Sequence, residues 1–191
     1  MFVDTIRSCR ALLVSHLLGH VFQAEGDVKI NLLERAILHL KATADYSVFY
    51  GEGRDMYDLW GRAAHESVFN TKDGNFRCPN SQQGYTGFST WTRGLAWAMC
   101  GFAEELECFE TLQDAELELF GGRKETEAFM LKAAKATCDF YIEHTPSDGI
   151  PYWDYDAPDI PDTYRDASAG AIMASAFIEL STMIQGELSR K

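Results

Sequence analysis

Apolar side chains recur at three- and four-residue steps along five stretches of the chain, and two long stretches between them lack that period. Between residues 2 and 22, Ile6, Cys9, Leu13, Leu17 and Val21 fall on one side of a helix, with Arg7, Arg10 and Ser15 elsewhere on it. Glu25-Gly26-Asp27 breaks this helix. A second is predicted over 30–50 with a stripe of Leu33, Ile37, Leu40 and Ala44, so that the two form a helical hairpin. A third spans 92–112. A fourth, over 124–142, aligns Phe129, Ala133, Ala136 and Phe140 and is stopped by Thr145-Pro146-Ser147-Asp148-Gly149. The fifth starts near Asp166, a good N-cap residue, and runs through Ile172, Ala176, Ile178 and Leu180.

Residues 51–90 hold six glycines and Pro79 among many polar groups, and an irregular loop of that length inside a compact domain is usually functional. Residues 150–164 are also irregular, with Pro151, Pro158 and Pro161 beside Tyr152, Trp153 and Tyr155. Asp154 and Asp156 alternate with these aromatics, where they would touch a ligand or cap a turn; their spacing is not that of an EF-hand calcium loop. No series of alternating residues suggests a sheet of any size. The pattern is therefore all-α, in one domain covering 1–191.

A hydrophobic content of 46% over 191 residues can bury a core and excludes a disordered tail. The net charge of −12 argues against nucleic acid, whose phosphates need clustered Lys and Arg. It would also repel an anionic sugar at long range, so a uronate would need a local cation. No apolar run approaches the roughly 18 residues of a membrane span. Five cysteines, an odd count without a CxxC pair, fit free thiols in a reducing compartment, and Met1-Phe2-Val3-Asp4 lacks a basic leader; a cytoplasmic protein is expected. His16 and His20 stand four apart on the first predicted helix, but Leu17 occupies the place where a zincin helix carries Glu, so they read as structural rather than as metal ligands.

The most informative segment is Ser81-Gln82-Gln83-Gly84-Tyr85-Thr86-Gly87-Phe88-Ser89-Thr90-Trp91-Thr92-Arg93-Gly94-Leu95-Ala96-Trp97. Gly84 and Gly87 let backbone approach a ligand closely, and Gln83 can bond hydroxyls. Indole faces such as Trp91 and Trp97 stack on the apolar side of a pyranose, while the Arg93 guanidinium can grip a carboxylate with two hydrogen bonds. The plain alternative makes Trp91 and Trp97 core anchors and pairs Arg93 with an internal acid.

Gln-Gly-Tyr followed by Ser-Thr-Trp-Thr-Arg-Gly-Leu-Ala-Trp resembles the signature of glycoside hydrolase family 88, the unsaturated glucuronyl hydrolases. Phe2-Val3-Asp4-Thr5 is similar to the start of that family's catalytic-aspartate helix, and Gly61-Arg62-Ala63-Ala64-His65 falls where the family has its active-site histidine. Asp148-Gly149-Ile150-Pro151-Tyr152-Trp153-Asp154 with Arg165-Asp166-Ala167-Ser168-Ala169 resembles its C-terminal signature.

The resemblance implies a toroid of six helical hairpins, the (α/α)6 fold, of which this chain would supply roughly the C-terminal half. A second copy or a separate N-terminal half would close the ring. It also implies hydration of the C4=C5 bond of a terminal unsaturated uronic acid on a lyase-generated oligosaccharide, without metal or organic cofactor. Asp4 then matches the general acid/base, and His65, Gln83, Trp91, Arg93 and Trp97 match substrate-contacting residues. One positioned carboxyl can both protonate the vinyl carbon and deprotonate water, and an apolar setting from Val3 and Ile6 would favour its starting protonated. Two other readings stay open: a half-toroid that binds acidic sugar without turnover, and a sugar epimerase on a similar toroid, a class that relies on histidine pairs where only His65 stands in a loop.

Overall fold

In the computed structural model, which describes residues 1–23 and 25–189, all five periodic stretches contain helix. A 3₁₀ turn at Val3–Ser8 leads into α1, Cys9–Leu17. The helix predicted over 2–22 therefore stops five residues early. Gly19 takes a left-handed φ of 76°, and the chain turns into a small antiparallel hairpin, β1 (Phe22–Gln23) with β2 (Lys29–Ile30). Leu17 and Val21, assigned by period to the buried stripe, are 46% and 60% exposed. His20 lies beyond the end of α1, so the two histidines share no helical face; His16 Nε2 instead meets Glu116 Oε1 at 2.7 Å.

Asn31 starts α2, Leu32–Tyr46, by accepting hydrogen bonds from the N–H groups of Leu33 and Glu34 at 2.9 and 3.2 Å. Its stripe of Leu33, Ile37, Leu40 and Ala44 is buried as the period requires. The helix does not reach residue 50. Ser47-Val48-Phe49 leave it as an extended strap, with Ala64 N–H donating to Ser47 O and Phe49 N–H to Arg62 O.

Residues 51–90, expected as an irregular loop, contain a second hairpin: β3 (Glu66–Phe69) pairs antiparallel with β4 (Phe76–Asn80), Glu66 opposite Asn80, with a bulge at Val68/Phe69. The first residues of the chain add to the free edge of β3. Phe2 bridges Glu66, Met1 and Ser67 exchange backbone hydrogen bonds of 2.8 Å each, and Val3 N–H donates to His65 O at 2.9 Å. This third short strand fixes where Asp4 stands.

The remaining helices are α3 (Thr92–Phe109), a short α4 (Asp114–Leu117), α5 (Arg123–His144) and α6 (Ala167–Ser189). They build two layers. In one, α1, α3 and α6 lie side by side with α3 in the middle; in the other, α2 and α5 pack behind them on α1 and α3. Two glycines on α3 make this possible. A Cβ on Gly101 would lie 2.5 Å from Ile6 Cγ2, and one on Gly94 would lie 3.2 Å from Val3 Cγ1. Val3 and Ile6, both fully buried, thus seat in a groove that only glycine leaves open, and Val3–Ser8 runs parallel to α3. On the other side, Ala169, Met173, Ala176 and Leu180 of α6 are buried against α3, while Ile178 is exposed.

Candidate active site at the N-terminal ends of the inner helices

The segment carrying Asp4, the start of α3 and the start of α6 come together at one end of the inner layer. Thr92 N–H donates to Trp153 O at 3.1 Å and Thr92 Oγ1 to Tyr152 O at 2.6 Å, so the loop before α6 is stitched to the first turn of α3. Asp154 completes the stitch. It is fully buried; Oδ2 accepts from Tyr85 N–H and Ser89 Oγ at 2.8 Å each, and Oδ1 accepts from Asp156 N–H at 3.0 Å. Of the two roles open to it, touching a ligand or capping a turn, the structure supports the second: both oxygens are spent on holding the loop. Gly84 is needed at this point, because a Cβ there would lie 2.9 Å from both Asp154 Oδ2 and Trp91 Cβ.

His65 is buried between the rings of Phe2 and Trp91, at centroid distances of 5.2 and 4.7 Å. Its Nδ1 faces the backbone N–H groups of Gln82 and Gln83 at 3.1 and 3.2 Å. Amides only donate, so Nδ1 accepts and the ring proton of the neutral form sits on Nε2. Burial pushes the imidazole below its ordinary value, against the pull of the Asp4 and Glu66 charges. The ring is therefore neutral at neutral pH and offers one N–H. Those same amide contacts set the start of the loop that carries Gln83, whose side chain is exposed.

Asp4 is half-buried, and its Oδ1 is fully enclosed with no hydrogen-bond partner among the described residues. One turn on, the Arg7 guanidinium lies 4.3 Å over the Trp97 ring, which ties the Asp4 segment to α3 a second time. Trp97 is half-buried and packs on the core, while Trp91 is buried at the helix start. Arg93 stands between them in sequence and shares a helical face with Trp97. Its guanidinium lies 5.7 Å from the Trp91 ring centroid and pairs with Asp166 at 3.0 Å.

The structure thus brings Asp4, His65, Gln83, Trp91 and Arg93 to one end of α3, with Trp97 one turn deeper. Reading the sequence missed Phe2 against His65; it left Asp154 open between ligand contact and a cap, and it allowed Arg93 an internal acid without identifying Asp166. Asp166 carried a signal, since an Asp at a helix start announces a cap, but nothing local tells that its second oxygen reaches back 73 residues. Among the described residues no group of three or more His, Cys, Asp or Glu is placed to hold a metal ion, and no helix is long and apolar enough to cross a membrane.

Two helical layers with a polar site at the ends of the inner helices define a segment of an α/α toroid. The chain matches no protein-family model. It is 36% identical over 140 residues to an unsaturated glucuronyl hydrolase of Formosa agariphila, a match covering 72% of this chain and 27% of the relative. It is 33% identical over 120 residues to an unsaturated glucuronyl hydrolase of Bacillus sp. strain GL1, covering 63% of this chain and 28% of the relative. The crystal structure of the unsaturated glucuronyl hydrolase from Bacillus sp. GL1, responsible for the degradation of glycosaminoglycan, superposes with a TM-score of 0.70 at 26% identity, over 95% of this chain and 40% of that one. The chain belongs to the unsaturated glucuronyl hydrolase family, glycoside hydrolase family 88, and spans little more than a quarter of the length of the two curated relatives.

Proposed function

We propose that this chain supplies the acid/base and carboxylate-binding side of a glycosidase site. The site removes a terminal unsaturated uronic acid from lyase-generated oligosaccharides by hydrating its C4=C5 vinyl ether bond. The observation that carries this reading is the Asp4 carboxyl, which has a buried oxygen without a hydrogen-bond partner among the described residues, beside a buried neutral imidazole. Asp4 gives its proton to C4. The oxygen of a water molecule bonds to C5, and the proton that water loses returns the Asp4 carboxylate to its starting form. The balance closes with water alone. The product at C5 is a hemiketal, which opens and frees the neighbouring sugar.

The other groups fit the rest of such a substrate. Arg93 provides the local cation that a uronate needs against a net charge of −12. The N-terminal ends of α3 and α6 add partial positive charge on the same side. His65 offers one N–H and the exposed Gln83 an amide for hydroxyls, while Trp91, buried, and Trp97, with Arg7 over its ring, would wall the site. Free thiols suit action in a reducing, cytoplasmic setting on oligosaccharides already cut by lyases.

A second reading, sugar binding without turnover, is favoured by one observation. Val14 and Leu18 at one edge of the inner layer and Ile178 at the other are exposed apolar residues. In the working ring a further helical segment, a second copy or an N-terminal half, would cover them.

The test is decay of the ultraviolet absorbance of the conjugated double bond when an unsaturated uronyl disaccharide meets the purified chain. Decay that falls by about 10²- to 10⁴-fold in Asp4→Asn supports the hydration reading. Saturable binding without decay supports the second one. Neither decay nor binding by folded protein overturns both.

A further inference from the structure

Asp166 divides its two carboxylate oxygens between two tasks. Oδ1 accepts from Ala169 N–H at 3.0 Å and from Ser168 Oγ at 2.6 Å, which caps α6. Oδ2 accepts from Arg93 Nε at 3.0 Å, and Arg93 Nη2 lies 3.0 Å from the same oxygen. The Asp166 side chain is nearly enclosed, whereas that of Arg93 is 44% exposed.

A guanidinium has two edges that can take a carboxylate in paired fashion: the Nε–Nη2 side and the Nη1–Nη2 end. Asp166 occupies the first, the Trp91 ring lies on one face at 5.7 Å, and among the described residues no acceptor meets Nη1. The end edge is left without an acceptor among the described residues on a side chain that solvent reaches.

We infer that Asp166 is a positioning residue for substrate binding: through its hydrogen bond to Arg93 Nε it turns the Nη1–Nη2 edge of the guanidinium toward the substrate carboxylate. This rests on the reading that Arg93 meets a uronate. The inference has a sign that charge alone would not give. Removing a negative charge beside Arg93 makes the site more positive and, by Coulomb attraction, would tighten an anion. Loss of aim weakens it instead.

The test uses Asp166→Asn and Asp166→Ser in the full chain. Asn and Ser cap helices about as well as Asp, so melting stays within a few degrees of the parent protein. KM for an unsaturated uronyl disaccharide is expected to rise about tenfold in either variant with kcat changed far less, and to rise no further when the substitution is made on top of Arg93→Ala. An unchanged or lower KM overturns the inference, as does a further rise in the Arg93→Ala background.

A second readout needs no substrate. The Arg93 Nε–H resonance of ¹⁵N-labelled free protein, assigned by its loss in Arg93→Lys, is expected to be protected from exchange in the parent and exposed in Asp166→Ser. If the parent protein neither binds nor hydrates the disaccharide, the functional reading fails while protected Nε–H still supports the fixed guanidinium. Nε–H exchange that is the same in parent and Asp166→Ser removes the positioning role whatever the activity.

Discussion

Asp154 and Asp4 stand at the same end of α3 and are treated in opposite ways. Asp154 is fully buried and accepts three hydrogen bonds, from Tyr85, Ser89 and Asp156. Asp4 is held by its neighbours: Val3 and Ile6 sink into the groove left by Gly94 and Gly101, while Oδ1 of the carboxyl stays enclosed and unpartnered among the described residues. A buried acceptor without a partner costs about 1–3 kcal/mol. Folding tolerates that cost at Asp4 because apolar packing, not hydrogen bonding, fixes the segment. At this end of α3 the acid that holds the loop is saturated, and the acid left short is the one beside His65.

Glu105 limits that lesson. Both of its oxygens are also buried and unpartnered among the described residues, yet it lies in the far half of α3 amid Cys9, Cys108 and other core groups. An unsatisfied acid is thus a site only where ring faces, donors and access to solvent surround it.

The contrast can be broken by removing each kind of support. Asp154→Ala strands the amides of Tyr85 and Asp156 and leaves Ser89 Oγ only its Thr86 partners, and unfolding by denaturant is expected to show a loss of about 3 kcal/mol. If the loss is below about 1 kcal/mol, the loop is held by something other than this carboxylate.

Glu105 gives a pH-dependent effect of the opposite sign. Burial, reinforced by the charges of Glu104 and Glu179 and opposed by Arg10, pushes its carboxyl up to about 8 from 4.5. Between those values the folded state keeps a proton that the unfolded chain has lost, so stability falls as pH rises through the window and is level outside it. Glu105→Met is expected to flatten that slope, with a gain of about 2 kcal/mol near pH 8 and little near pH 4, measured by thermal melts across pH. Gly101→Ala probes the apolar support. Its Cβ would lie 2.5 Å from Ile6 Cγ2, so a loss of about 1–2 kcal/mol is expected, with turnover falling further than stability alone explains as Asp4 is displaced.

Much of this was legible in the sequence where one side chain decides a local outcome. The buried stripe of α2 and the capping role of Asp166 follow from spacing and residue type. The end of α1 was not legible, because Leu17 and Val21 continue the apolar period across Gly19, which breaks the helix through its backbone. The β3–β4 hairpin hides for a similar reason: β4 reads Phe-Arg-Cys-Pro-Asn, with neither alternation nor β-branched residues. The site residues came from resemblance to a family motif. Their joining did not, since Val3 meets His65 across 62 positions and Arg93 meets Asp166 across 73, and no local pattern encodes such pairs.

The most direct measurement is the melting temperature of Asp4→Asn beside that of the parent protein under identical conditions. If the Asp4 carboxyl is reserved for chemistry, replacing it leaves the melting point unchanged or slightly raised while turnover is lost. A fall of several degrees would show that Asp4 is one more acid holding the fold, and the distinction between it and Asp154 would collapse.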